Sequence, residues 1–239
     1  MDNISTQRVK FVASTTDFMK VSGCPIAYWA NKSIFNDFEK FDKMDGICEI
    51  RNGITTGDNG RFLRFWFEID RNSNRWIKCN KGGAFRRWEG NNEYVIDWEN
   101  DGYRLKHFFD DSGKLRATLR GIDMNFTAGV TMSRVTSSMP SFREMTDDSI
   151  SESATNAIYP KDNNRDTSLK VMALLNSKIG IYILDLVNPT INVVPEDLRS
   201  FPICFGDLSL DIVDENVTLS KADWDSFETS WDFKKHPLI

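Results

Sequence analysis

Between residues 47 and 136 the chain is repeatedly cut by turn chemistry, and this confines it to short, mostly antiparallel strands. The cuts are Gly57-Asp58-Asn59-Gly60, Asn91-Asn92, Asp101-Gly102 and Ser112-Gly113. Around them, segments 47–54, 61–69, 93–98, 103–109, 114–119 and 129–136 carry the residue types of strands. Helices flank this region. Ile34, Phe35, Phe38, Phe41 and Met44 follow helical spacing over 33–44, with Ser33 as N-cap and Gly46 as the stop. Over 166–187, Leu169, Met172, Leu175, Ile179, Ile183 and Leu186 form a broad apolar stripe that ends at Asn188-Pro189. The spacing therefore predicts an α+β protein: a mixed, mostly antiparallel sheet, a short N-terminal helix, and one long helix packed on the sheet. Residues 137–164, rich in Ser, Asp and Asn, read as a long loop or boundary. The expected division is an N-terminal linker segment with a helix (1–45), an α+β domain (46–205) and an acidic, aromatic tail (206–239).

Several classes are excluded. The 239 residues are 40% hydrophobic and 12% aromatic, enough to bury a core rather than remain disordered. Cys24, Cys48, Cys79 and Cys204 form no C-x-x-C pair, and with two histidines a zinc site is not expected. Reduced thiols suit a cytoplasmic protein. The first 30 residues lack the continuous apolar region of a secretory signal. The most apolar stretch, 171–187, contains Asn176, Ser177, Lys178 and Asp185, so it reads as a buried helix, and no membrane partner is expected.

Charge is distributed unevenly. Residues 1–50 carry 6 basic and 7 acidic side chains, residues 51–143 carry 16 and 11, and residues 144–239 carry 8 and 17. The middle third alone has a field that favours a polyanion. Within 51–88, nine Lys/Arg face only Asp58, Glu68 and Asp70, interleaved with Phe62, Phe65, Trp66, Phe67, Trp76, Phe85 and Trp88. Arginine beside aromatic rings suits phosphate contact and base stacking. An ordinary half-buried sheet, aromatics inward and arginines in water, accounts for the same alternation.

Catalytic constellations are weak. The run from Gly53 to Gly60 has the glycines of a phosphate cradle but no P-loop Lys-Ser/Thr, which favours a hairpin turn. Lys81-Gly82-Gly83 would allow close backbone approach to a ligand. Asp97 and Glu99, with Asp101, would share one strand face as a metal-nuclease or glycosidase pair, or simply end a strand in solvent. Asp232-Phe233-Lys234 is too short a nuclease fragment to carry weight. His107 and His236 have no catalytic companions.

A longer order of short motifs carries a resemblance. Pro25-Ile26-Ala27-Tyr28-Trp29, Gly53-Ile54-Thr55-Thr56-Gly57-Asp58-Asn59, Asn80-Lys81-Gly82-Gly83, Arg86-Arg87-Trp88 and Trp98-Glu99-Asn100-Asp101-Gly102 are its first part. Leu175-Asn176-Ser177-Lys178, Asn188-Pro189-Thr190, Phe201-Pro202-Ile203 and the tail from Asp223 to Phe233 complete it. In these the chain resembles the PglX family, the adenine-specific DNA methyltransferases of BREX type 1 phage-exclusion systems, themselves related to type IIG restriction–modification methyltransferases. The resemblance implies the region after the catalytic domain that contains the target-recognition portion. It also implies double-stranded DNA, the methyltransferase catalytic domain and other proteins of the phage-exclusion system as partners.

Two departures limit what it implies. The family methylates through an Asn/Asp-Pro-Pro-Tyr/Phe motif, whereas the one Asn-Pro here is followed by Thr190, and the glycine-rich turn for S-adenosylmethionine is missing. No cofactor is therefore expected in this chain, which should not be catalytic alone. Met132, in Gly129-Val130-Thr131-Met132-Ser133, stands where an aromatic stacking residue is expected. The candidate DNA contacts are Arg61, Arg64, Lys78, Lys81, Arg86, Arg87 and Arg134. The competing reading is a protein-interaction module that docks through the acidic C-terminal third, with Trp224 and Trp231 as anchors.

Overall fold

The computed structural model describes residues 11–239; the first ten residues of the linker segment lie outside them. Among the described residues eight strands occur in chain order: β1 Cys48–Asn52, β2 Leu63–Phe65, β3 Trp76–Asn80, β4 Tyr94–Asp97, β5 Gly129–Ser133, β6 Phe142–Met145, β7 Ser149–Ser151 and β8 Thr155–Pro160. They form two four-stranded sheets, ordered β1-β8-β5-β6 and β2-β4-β3-β7. Pairing is antiparallel throughout except between β3 and β7. The short helices are α1 Thr15–Phe18, α2 Lys32–Lys40, α3 Met44–Ile47, α4 Asn59–Phe62, α5 Glu99–Lys106 and α8 Pro195–Arg199; the longer ones are α6 Arg165–Asn176, α7 Lys178–Val187 and α9 Leu210–Trp224. The fold is α+β. None of its described helices is long and apolar enough to cross a membrane.

The first sheet supports the larger core. Ile50, Val130, Met132 and Phe142 meet Leu169, Met172 and Leu175 of α6, and Val213 and Val217 of α9 close the same cluster. Met132 is fully buried there, so its position is a packing one and not a stacking platform. The second sheet has its own cluster, in which Ile54, Phe62, Leu63 and Ile96 pack with Leu105 and Phe108.

The apolar stripe of 166–187 forms two helices, of which α6 packs on the sheet and α7 packs against α6 and α8. Ser177 is extended (φ −70°, ψ 160°) and ends α6 while capping α7. Its hydroxyl donates to Leu174 O at 2.6 Å and accepts from Gly180 N–H at 2.9 Å. A Cβ on Gly180 would lie 2.0 Å from Leu174 O, so the break requires glycine there. Leu169, Met172, Leu175, Ile183 and Leu186 are buried on both sides of the break, which is why spacing alone reads one helix, but Ile179 of the expected stripe is exposed.

Other expectations are corrected. Residues 137–164 hold β6, β7 and β8 rather than a loop, and β8 is an interior strand buried at all six positions. Its polar residues are held by hydrogen bonds, Asn156 Nδ2 donating to Val193 O at 2.8 Å and Thr155 Oγ1 to Glu152 O at 2.6 Å, although Asn156 Oδ1 has no partner among the described residues. Segment 103–109 belongs largely to α5 and is not a strand. It follows a left-handed turn at Asn100, Asp101 and Gly102. Segment 114–119 makes only isolated bridges, Leu115 to Phe109 and Thr118 to Thr55. The turn at 57–60 closes no hairpin, because β1 and β2 lie in different sheets; instead Asp58 accepts Arg61 N–H at 3.1 Å and caps α4. Helix α2 is capped by Asn31 rather than Ser33 and ends at Lys40, ahead of Gly46, which lies inside α3. Trp224 and Trp231 are half-buried.

Candidate nucleic-acid interface

The seven candidate cations fall into three groups. Arg61 and Arg64 come together because α4 runs directly into β2. Arg64 donates to Gly60 O and Leu63 O and lies 5.9 Å from the Trp76 ring centre. Arg61 lies over Phe62 and Phe108, 5.4 and 4.7 Å from the ring centres. Phe108 is shared: Arg116, exposed on the other side of the sequence gap, sits 4.8 Å from the same ring. None of these three forms a salt bridge among the described residues, whereas neighbouring Arg75 and Arg104 both clamp the buried Asp97, at 2.8 and 2.6 Å. Each arginine lies beside an aromatic surface that orients the guanidinium, leaving the donors of Arg61 and Arg116, and those of Arg64 not used by Gly60 O and Leu63 O, for another acceptor.

Lys81 and Arg134 line a second place, an open cleft with Gly83, Ser133 and Asn192. Lys81 lies 5.2 Å from the Tyr94 ring, and Arg134 donates to Asn192 Oδ1 at 3.1 Å. Arg87 stacks near Phe85 at 5.4 Å. Neither Lys81, Arg87 nor Arg134 has a carboxylate partner among the described residues.

The third group is taken up internally. Lys78 pairs with Asp148 at 2.7 Å. Arg86 pairs with Asp223 at 2.6 Å, donates to Ser220 O and Glu89 O, and stacks 4.9 Å from the Trp224 ring. The Arg86 contacts fasten the C-terminal helix to the turn before β4. Arg71, not among the candidates, does the same for the segment after α9: it lies between Trp66 and Trp231 and donates to Trp231 O.

The other chemical candidates are accounted for. Asp97 is buried between its two arginines while Glu99 and Asp101 are exposed, Asp101 pairing with Lys106 at 2.6 Å. No group of metal-ligating side chains occurs among the described residues. Asn188, of the lone Asn-Pro, is fully committed: Nδ2 donates to Asn192 O and Asp197 Oδ2, and Oδ1 accepts Thr190 N–H.

The chain is 36% identical over 231 residues to the adenine-specific methyltransferase BrxX of Escherichia coli O9:H4 (strain HS), covering 93% of the chain and 18% of BrxX. It is 30% identical over 241 residues to the adenine-specific methyltransferase PglX of Lacticaseibacillus casei (strain Zhang), covering 94% of the chain and 20% of PglX. The chain is a homologue of BrxX and PglX over nearly its whole length. It spans about a fifth of the length of these relatives. No family model matches it.

Proposed function

We propose that this chain is the DNA-recognition portion of an adenine-specific DNA methyltransferase of a phage-defence system, with methyl transfer and S-adenosylmethionine binding assigned to the parts of such enzymes that it does not align with. The observation that carries the reading is the Arg61–Arg64–Arg116 face: three guanidinium groups beside Phe62, Phe108 and Trp76, without carboxylate partners among the described residues. In this reading these groups bind phosphates and set the register, while Lys81, Arg87 and Arg134 extend the contact. Lys78 and Arg86, occupied by acids, contribute less. The partners are double-stranded DNA and the methyltransferase catalytic domain, and the setting is the cytoplasm.

Fluorescence anisotropy with a labelled duplex, read at several salt concentrations, tests this. Each phosphate contact contributes about −0.9 to the slope of log K against log salt. Replacing Arg61, Arg64 and Arg116 together with alanine should therefore make the slope shallower by roughly 2–3. No binding at low salt, or an unchanged slope in the triple variant, would overturn the proposal.

One observation favours a second reading, docking of another protein on the C-terminal third. Ile212 and Leu219, seven residues apart on α9, are 60% and 62% exposed, opposite the buried Val213 and Val217. Because those valines are core, truncating 206–239 would unfold the protein, so the discriminating variant is Ile212→Glu with Leu219→Glu. Unchanged DNA binding with loss of association to the other phage-exclusion proteins is the outcome this reading expects.

A further inference from the structure

A cavity of about 270 Å³ lies between the second sheet and the C-terminal segment, away from the Arg61–Arg64–Arg116 face. It is slightly smaller than the ~300–1,000 Å³ of sites for drug-sized ligands, which suits a single heterocycle. Its lining includes Glu89, the amides Asn80 and Asn92, and the rings Trp224 and Trp231. Exposed Lys221 and Asp232 also line it and give it a solvent-facing side.

The chain goes to unusual lengths to hold Glu89 there. Trp88, Gly90 and Asn91 all have positive φ (72°, 122° and 61°), so three of four consecutive residues sit in conformations that disfavour L side chains. A Cβ on Gly90 would lie 2.4 Å from Arg86 Nε. The turn is tied on both sides: Trp88 exchanges backbone hydrogen bonds with Phe142 and Glu144, and Glu89 O accepts from Arg86 Nε and Ser220 Oγ. The result is a glutamate residue only 8% exposed with no salt bridge, whose one side-chain hydrogen bond is donated by Asn92 Nδ2 at 2.5 Å. Trp224, also in the lining, packs against this turn, its ring 3.1 Å from where a Cβ on Gly90 would lie. Buried carboxyl groups are rarely left in this state, and one that lines a cavity invites a ligand that supplies its complement.

We propose that this cavity is a nucleobase site, which takes a heterocycle presenting an acceptor beside an amine, as adenine and cytosine do, with Glu89 as the group that reads that edge. A protonated carboxyl donates to the ring nitrogen and accepts from the exocyclic amine at once; an ionised one can only accept. Burial, above all, holds the Glu89 carboxyl up to about 7, with Glu144 and Asp225 adding to the rise and Lys221 and the Asn92 hydrogen bond opposing it. Buried Arg143 of β6 also faces it, and Lys78 and Asp232 complete the charged lining. The protonated form is therefore well populated near neutrality. The proposal does not depend on the phosphate-contact face, and it is distinct from a methyl-transfer pocket, whose motif this chain lacks.

The test is tryptophan-fluorescence titration of the whole chain with deoxyadenosine and deoxycytidine at millimolar concentration, beside a duplex that carries 2-aminopurine to report a base drawn out of DNA. Wild type should bind about tenfold more weakly at about pH 8 than at about pH 6, as the protonated fraction falls. Glu89→Gln keeps a donor and an acceptor and should bind with no such pH dependence; Glu89→Ala should lose binding while its near-ultraviolet circular dichroism stays native. Nucleoside binding alone identifies a free ligand, and a 2-aminopurine signal abolished by Glu89→Ala identifies a base of DNA. Absence of both signals, or binding that survives Glu89→Ala, overturns the site. Salt-dependent DNA binding that persists in Glu89→Ala leaves the recognition face standing, so the two proposals fail separately.

Discussion

Asn176→Ala should lower stability by about 3 kcal/mol, seen as a fall of about 1 M in the urea midpoint. Asn176 is the last residue of α6 and is buried against edge strand β6. It treats Phe142 as a neighbouring strand would: its Oδ1 accepts Phe142 N–H at 3.0 Å and its Nδ2 donates to Phe142 O at 2.9 Å. The carbonyl has a second partner in Trp88 N–H, at 2.9 Å, but no other partner accompanies Asn176 at the Phe142 N–H. Removing the amide orphans a buried donor, about 1–3 kcal/mol, and leaves a small cavity as well. Asn176→Asp separates these effects. It keeps the volume and the acceptor for Phe142 N–H but turns an oxygen towards Phe142 O, so it should fall at least as far; recovery of wild-type stability in Asn176→Asp would mean that volume alone mattered. Asn176 thus closes the β6 edge, while Ser177 next to it turns the chain into α7.

How much of this was legible follows from how local each determinant is. The Leu175-Asn176-Ser177-Lys178 motif stood out in the sequence, but its use did not, because Phe142 lies 34 residues away. The apolar stripes of α6 and α7 were readable, since burial on one face leaves a local period. Strand β8 was not: its Thr155, Asn156 and Pro160 read as loop, and only pairing with β1 and β5 makes it the interior of a sheet. At Asp101-Gly102 the turn was read where it occurs, yet a helix follows it. Leu105 and Phe108, three residues apart, are both buried in the second core, which helical geometry achieves and alternation would not.

The candidate interface shows the same division. Arg61 and Arg64 could be found from a basic, aromatic run, because they are three residues apart where α4 runs into β2. Arg116 lay outside the densest part of that run and reaches them only through Phe108. A clue existed in its position between Leu115 and Ala117, which are half-buried and buried beside an exposed arginine. Composition could not show that Arg86 and Lys78 are occupied, because their acids are 137 and 70 residues distant. Glu89 had no sequence signal beyond the glycine that follows it; its burial is a property of the assembled cavity.

Glu89→Gln should stabilise the protein by about 3 kcal/mol at about pH 8 and leave it nearly unchanged at about pH 4.5. The Glu89 carboxyl is raised from 4.5 to about 7 in the folded chain, chiefly by burial. The folded state therefore holds this proton more tightly than the unfolded state does. Below about pH 4.5 both states are protonated and the group costs nothing; between 4.5 and 7 the unfolded state ionises while the folded state resists, and stability declines; above 7 the full cost is present. A difference of about 2.5 pH units corresponds to roughly 3 kcal/mol. Glutamine retains an oxygen for Asn92 Nδ2 and carries no charge, so it removes the cost without removing the hydrogen bond. Urea unfolding of both proteins across this range isolates the group, since every other titration is common to the two curves. A constant difference across pH would mean that Glu89 ionises as freely in the folded chain as in the unfolded one, and the cavity would then lack the neutral acid that its recognition chemistry needs. A growing difference would mean that the fold tolerates a destabilising carboxyl where glutamine would serve packing equally well, which is the behaviour of a residue kept for what it binds rather than for what it supports.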